Sequence, residues 1–112
     1  MQLRTTGIAV AALASLGAAS LAVGHGTPPR SGQAVFEAAC ANCHSGGIGG
    51  FFSGAPAVGD KEDWQALLPK GVDGLTTTTV TGIGKMAARG GCETCSDAEI
   101  RAAVAYMVEK SR

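Results

Sequence analysis

Five aromatic side chains, Phe36, Phe51, Phe52, Trp64 and Tyr106, are all that this 112-residue chain offers for a core, against seventeen glycines. Large aromatics normally supply much of the buried area of a small domain. The folded body is expected to be shorter still, under about 90 residues, because the N-terminus reads as a removable export segment. Domains of that size bury only about 60% of the surface their unfolded chains expose, and are commonly held by disulfides, a metal or a cofactor. A Gly/Ala-rich body of this kind is expected to pack around something that is not side chain. A flat, apolar cofactor fits.

The stretch Cys40-Ala41-Asn42-Cys43-His44 indicates which cofactor. Cysteines at i and i+3 near a helix end reach the two vinyl groups of one porphyrin edge and form thioethers to it, and the next residue, His44, then serves as a ligand to the iron. One haem c, covalently held at Cys40 and Cys43, is the expected cofactor. Two other readings of a C-x-x-C pair are half a zinc site and a thiol–disulfide redox motif. Against zinc, the other cysteine pair is followed by Ser96, and the other histidine, His25, lies in an irregular start. Against the redox motif, no βαβ pattern surrounds Cys40. The sixth iron position has Met86, Met107, His25 and the lysines as candidates. Met107 falls on the apolar face of a terminal helix, whereas Met86 lies in a glycine-punctuated loop 42 residues after His44, so Met86 is the expected ligand. A His/Met set suits electron transfer better than oxygen chemistry.

The remaining pattern gives the domain plan. Residues 1–24 read as a signal peptide, with Arg4 before the small apolar run Gly7 to Gly24, and an uncleaved membrane anchor is the alternative. Residues 25–31 are a linker and 32–112 the haem domain. Export places the four cysteines in an oxidising compartment, expected to be a bacterial periplasm. A short helix from Ser31 leads into Cys40, and the glycine-rich stretch Ser45 to Gly59 reads as a loop that turns repeatedly or approaches something closely. A helix capped by Asp60 carries Trp64, Leu67 and Leu68 and is ended by Pro69. Val72 to Thr81 is a weaker helix, with four successive β-branched threonines. The capping box Ser96-Asp97-Ala98-Glu99 opens a terminal helix with Ile100, Ala103, Val104 and Met107 on one face. No segment alternates with period two, so the fold is expected to be all-α. Cys92 and Cys95 lack a following histidine. A structural disulfide is the plain reading of that pair and a catalytic dithiol the sharper one.

The arrangement resembles the class I monohaem cytochromes c, and among them the bacterial cytochrome c5 family. The resemblance is carried by Cys40 to His44, Gly54-Ala55-Pro56, Gly59-Asp60, Trp64, Gly71, Leu75, Met86, Gly90-Gly91-Cys92, Cys95-Ser96-Asp97 and Ile100 to Met107. It implies a small cytochrome c fold, about three main helices wrapped around one covalently bound haem. It also implies that the Pro56 carbonyl accepts a hydrogen bond from the His44 ring, that Gly32 and Phe36 meet Tyr106 where the first and last helices cross, and that Cys92 pairs with Cys95. Relatives commonly have proline after the ligand methionine; here the residue is Ala87, so the loop is expected to be more mobile and the Met86–iron bond easier to break.

The expected function is periplasmic transfer of one electron between redox protein partners, membrane-bound or periplasmic, without enzymatic activity. A gas-binding or catalytic haem protein, and an anchored subunit of a larger complex, are the competitors. Without the first 24 residues the chain has eight Lys and Arg against nine Asp and Glu, with no basic stripe. Nucleic acid is therefore excluded as a partner, and membrane contact is expected only if the N-terminal segment is retained. For Phe51-Phe52, lining of the haem crevice is preferred to an apolar docking patch.

Overall fold

The computed structural model describes residues 26–112. The expected signal peptide and His25 lie outside the described residues. Within them the protein is helical, with no strand and one isolated antiparallel bridge, Ile83 to Met86.

Ser31 opens the first helix: its Oγ accepts from the Ala34 N–H at 3.2 Å, as N-cap serines do. The helix runs as α1 (Gly32–Val35), a π-helical stretch (Phe36–Cys40) and α2 (Ala41–His44), all in right-handed helical backbone. The π stretch is one wider turn placed where the first cysteine projects, a position where such widenings recur. α6 (Asp97–Lys110) is capped as its sequence requires, with Ser96 Oγ accepting from the Glu99 N–H and Glu99 Oε2 from the Ser96 N–H. α1 and α6 cross closely. A Cβ on Gly32 would overlap the Ala102 carbonyl, and beside that point the Phe36 and Tyr106 rings lie 5.4 Å apart. Val35 and Phe36 thereby bury against Ile100, Ala103, Val104 and Met107, each large apolar side chain contributing about 1.5–3 kcal/mol.

Two expectations change and a third is met. Much of the stretch read as a loop is helix: α3 (Gly47–Ser53) forms although its sequence is Gly-Ile-Gly-Gly-Phe-Phe-Ser. Its glycines serve close approach, since a Cβ on Gly49 would overlap the Asn42 carbonyl and one on Gly50 would come within 3.2 Å of that of Cys43. α4 (Lys61–Gln65), capped by Asp60, ends before the leucines, and Pro69 sits inside a separate 3₁₀ turn (Leu68–Lys70), where its missing N–H costs nothing. The threonine-rich segment forms the full helix α5 (Gly71–Thr81). Thr76, Thr77, Thr78 and Thr79 each donate a hydroxyl to the carbonyl four residues back, at 2.6–3.1 Å, and Leu75 buries in the core.

The linker is fastened by Arg30. Its backbone N–H and Nε each reach Glu99 Oε1 at 2.9 Å, and Nη2 reaches Oε2 at 3.1 Å. Those bonds, with the Ser96 N–H, hold the Glu99 carboxyl down to about 2 from the usual 4.5. A carboxylate depressed in the folded state stabilises above its unfolded pKa and loses that contribution as pH falls through the folded one. The urea midpoint of the wild type should therefore fall between about pH 4.5 and 2 more steeply than that of Glu99→Gln. Parallel curves would remove this ion pair from the acid response.

Candidate haem site

Cys40 and Cys43 are half-buried and outside any disulfide toward the end of the first helical run, and His44 closes that run, 8% exposed. The segment that follows α3 fixes His44 on two sides. The Pro56 carbonyl lies 2.9 Å from His44 Nδ1, and the Val58 N–H donates to the His44 carbonyl at 2.7 Å. Because a carbonyl only accepts, Nδ1 carries the proton and Nε2 keeps its lone pair. The segment is itself held by α4: Trp64 Nε1 donates to the Ala57 carbonyl at 2.8 Å, and the Ala57 N–H donates to Asp63 Oδ2 at 3.1 Å. Trp64 thus links the core to the histidine's orientation.

A cavity of about 530 Å³ opens beside these groups, lined by Cys40, Cys43, His44 and Pro56 on one side, Met86 among others, and apolar residues of α1, α5 and α6. Its size falls in the range of cofactor-sized pockets, and its lining is mostly apolar, as a porphyrin face requires. Burial pushes the Cys40 thiol above its ordinary value. Among the described residues no cluster of His, Cys, Asp or Glu could hold a metal ion by itself.

Met86 reaches the cavity from a tightly organised loop. Ile83 and Met86 exchange backbone hydrogen bonds at 2.8 and 3.0 Å, and Gly82, at φ +80°, has no room for a Cβ beside the Met86 carbonyl and the Ala88 nitrogen. After the 3₁₀ turn Ala88–Gly91, Cys92 and Cys95 form a disulfide, Cα to Cα 5.4 Å, and both line the cavity. Arg89, in left-handed backbone at φ 60°, ties this loop to α6 through the Cys95 carbonyl at 2.6 Å and Asp97 at 2.8 Å. Met107, 6% exposed, packs in the core and also lines the cavity.

Phe51 and Phe52 correct an expectation. They stand 83% and 71% exposed on the outer face of α3, not in the cavity wall. The glycines of α3 are the side that meets the Cys43 helix, so the two rings are turned outward. Sequence reasoning missed the Ala57 and Arg89 ties and the cavity-lining Thr78 and Thr79, none of which carries a local signal.

A family model described as Cytochrome C oxidase, cbb3-type, subunit III matches residues 27–107. Cytochrome c-555 of Chlorobaculum tepidum is 38% identical over 86 residues, covering 73% of this chain and 76% of that protein. Cytochrome c5 of Azotobacter vinelandii is 38% identical over 80 residues, covering 70% and 92%. The chain belongs to the cytochrome c family. A chain in the crystal structure of an electron transfer complex of nitrite reductase with cytochrome c shares its fold, with TM-score 0.65 and 40% identity over 72% of this chain and 94% of that one. This cytochrome is accordingly a small electron-transfer protein carrying one covalently bound haem c with its iron.

Ala87 has φ −62° and ψ 153°, within the range a proline ring fixes. Ala87→Pro should therefore be accepted without strain and stabilise by about 0.4–1 kcal/mol through the unfolded chain, read from denaturant midpoints. A destabilised variant would show that the loop needs the Ala87 N–H or a different backbone angle.

Proposed function

We propose that this cytochrome is an exported, non-enzymatic carrier of one electron, with Cys40 and Cys43 holding the haem by thioethers and His44 and Met86 as its axial ligands. The observation that carries the reading is that all four side chains line one apolar cavity, with His44 already in the tautomer that leaves Nε2 free. Bound haem supplies the ferric/ferrous couple. The chain's own part is to hold that couple still. Pro56 orients His44 and raises its basicity, the Gly82 turn and the Ile83 bridge present the Met86 sulfur, and α1, α5 and α6 keep water away. A ligand set unchanged between oxidation states makes exchange of one electron fast and leaves no open iron position for chemistry on a substrate.

Export rests on the sequence of residues 1–24, cleaved near Gly24, and a periplasm is the location it favours; the retained anchor is the alternative. Among the described residues no helix is long and apolar enough to cross a membrane. The partners are redox proteins, as nitrite reductase is for the cytochrome c of the structural relative. The test is a potentiometric titration under carbon monoxide and under argon. The reading predicts the same reversible one-electron wave in both. A wave shifted upward by carbon monoxide would mean an open ferrous iron and favour the gas-binding alternative.

A further inference from the structure

Among the described residues one non-glycine residue has left-handed backbone, and it is Arg89, at φ 60° and ψ 17°. Gly90 and Gly91 follow in the same region, at φ 61° and 78°, where glycine sits without steric cost. A side chain there brings Cβ against the following carbonyl oxygen, so arginine is a poor choice for the position on backbone grounds. Such an outlier persists where its surroundings over-determine it, and it directs attention to what the side chain does.

The side chain fastens the turn to the start of α6. Nη2 donates to the Cys95 carbonyl at 2.6 Å, and Nη1 to Asp97 Oδ1 at 2.8 Å. The Asp97 bond contributes little, since that side chain is 81% exposed. The Cys95 carbonyl is the firmer anchor, because Cys95 is buried, is joined to Cys92 by the disulfide and leads into the cap of α6. The Arg89 carbonyl in turn accepts from the Cys92 N–H at 3.1 Å. Arg89 is thus held through both backbone and guanidinium against a rigid base.

What the turn stands behind is Met86. The Gly90 N–H donates to the carbonyl of Ala87, the neighbour of Met86, at 2.9 Å. A Cβ built on Gly90 would lie 3.9 Å from Met86 Cε, so the turn backs the methyl of the thioether. Arg89 and Gly90 both line the cavity with Met86. Ala87 supplies no ring to stiffen this loop, which leaves the restraint to the turn.

We infer that Arg89 is the positioning residue for the Met86 sulfur: its guanidinium, clamped on the Cys95 carbonyl, holds a strained turn closed behind the Met86 methyl and so sets how often the sulfur leaves the iron. The inference rests on the His44 and Met86 ligand reading above.

Imidazole in excess takes the sixth position of the oxidised holoprotein whenever Met86 leaves it. The rate at which the long-wavelength sulfur–iron band fades, once it no longer rises with imidazole, therefore reads Met86 departure. Arg89→Ala removes the clamp and keeps a Cβ, so the turn should leave the left-handed region and the rate rise about tenfold, the factor to which the usual left-handed penalty corresponds. Arg89→Gly removes the same clamp without that penalty and should stay within about threefold of the wild type. Both variants should fold, the Arg89 side chain lying outside the buried core, and their urea midpoints report any general destabilisation. A wild-type rate in Arg89→Ala, even with a lowered midpoint, would make Arg89 a structural tie only and overturn the inference. So would Arg89→Gly exchanging as fast as Arg89→Ala, since the turn would then not be what retains the sulfur. An oxidised wild type without the sulfur–iron band would instead sink the ligand reading itself, and the inference with it, before any variant is compared.

Discussion

Met86→Ala should abolish the long-wavelength absorption band that marks sulfur on ferric haem, lower the reduction potential by on the order of 0.1 V, and let the reduced iron take up carbon monoxide. Axial ligands span about 0.8 V across haem proteins, and a thioether favours the ferrous state, so its loss is the largest single change available to this site. The structure gives the substitution a clean interpretation. Met86 is only partly buried, and its loop is held by backbone groups, the Ile83 bridge and the Gly82 turn, all of which survive removal of the side chain. The variant should keep the wild-type helical signal. An unchanged band and potential would pass the sixth position to another sulfur donor, and Met107, which also lines the cavity, is the methionine in place for it.

Gly32→Ala sets two physical effects in opposition. Inside a helix, alanine is favoured over glycine by about 1 kcal/mol, so helix propensity alone forecasts stabilisation. The crossing forecasts the reverse, because the added methyl would overlap the Ala102 carbonyl of α6, which is backbone and cannot swing aside. Separating the helices would also loosen the Phe36–Tyr106 contact and strain the Arg30–Glu99 tie just before the crossing. Overpacking of this kind costs typically 1–3 kcal/mol, so a net loss of about 2 kcal/mol is expected from urea unfolding of the holoprotein. A stabilised variant would mean that the two helices have room at this point.

What could be read from the sequence divides along the reach of the interactions. The haem motif and the Ser96 capping box are local patterns whose chemistry is complete within five residues, and Val72 to Thr81 read as the weaker helix because of its β-branched threonines. The fold class followed from the absence of period-two alternation. α3 was not legible: three of its seven residues are glycine, a poor helix former, and it exists because the lack of side chains lets it lie on the carbonyls of Asn42 and Cys43. The outward set of Phe51 and Phe52 follows from the same packing. A two-ring motif in a glycine-rich stretch looks like crevice lining only if the stretch is taken as a loop.

The tie between Arg30 and Glu99 spans 69 residues, and nothing near Arg30 announces it. It changes what the linker is, since a segment expected to be a passive lead-in is held against α6 by a guanidinium and a carboxylate. The turn Pro56 to Val58 is similar. Its proline was singled out by family resemblance alone, and the neighbouring bonds from Trp64 and Asp63 became visible only once α4 was placed beside it. The resemblance supplied pairs of residues; the structure supplies what holds each pair in position.

The most direct test of the account is the intact mass of the purified protein after denaturation, taken with its absorption spectrum. The account predicts a chain beginning near His25 and heavier by one haem that acid and organic solvent do not extract, with the addition retained on the peptide containing Cys40 and Cys43. A polypeptide of unmodified mass, or a haem that leaves on denaturation, produced in a host with working haem attachment, would contradict it.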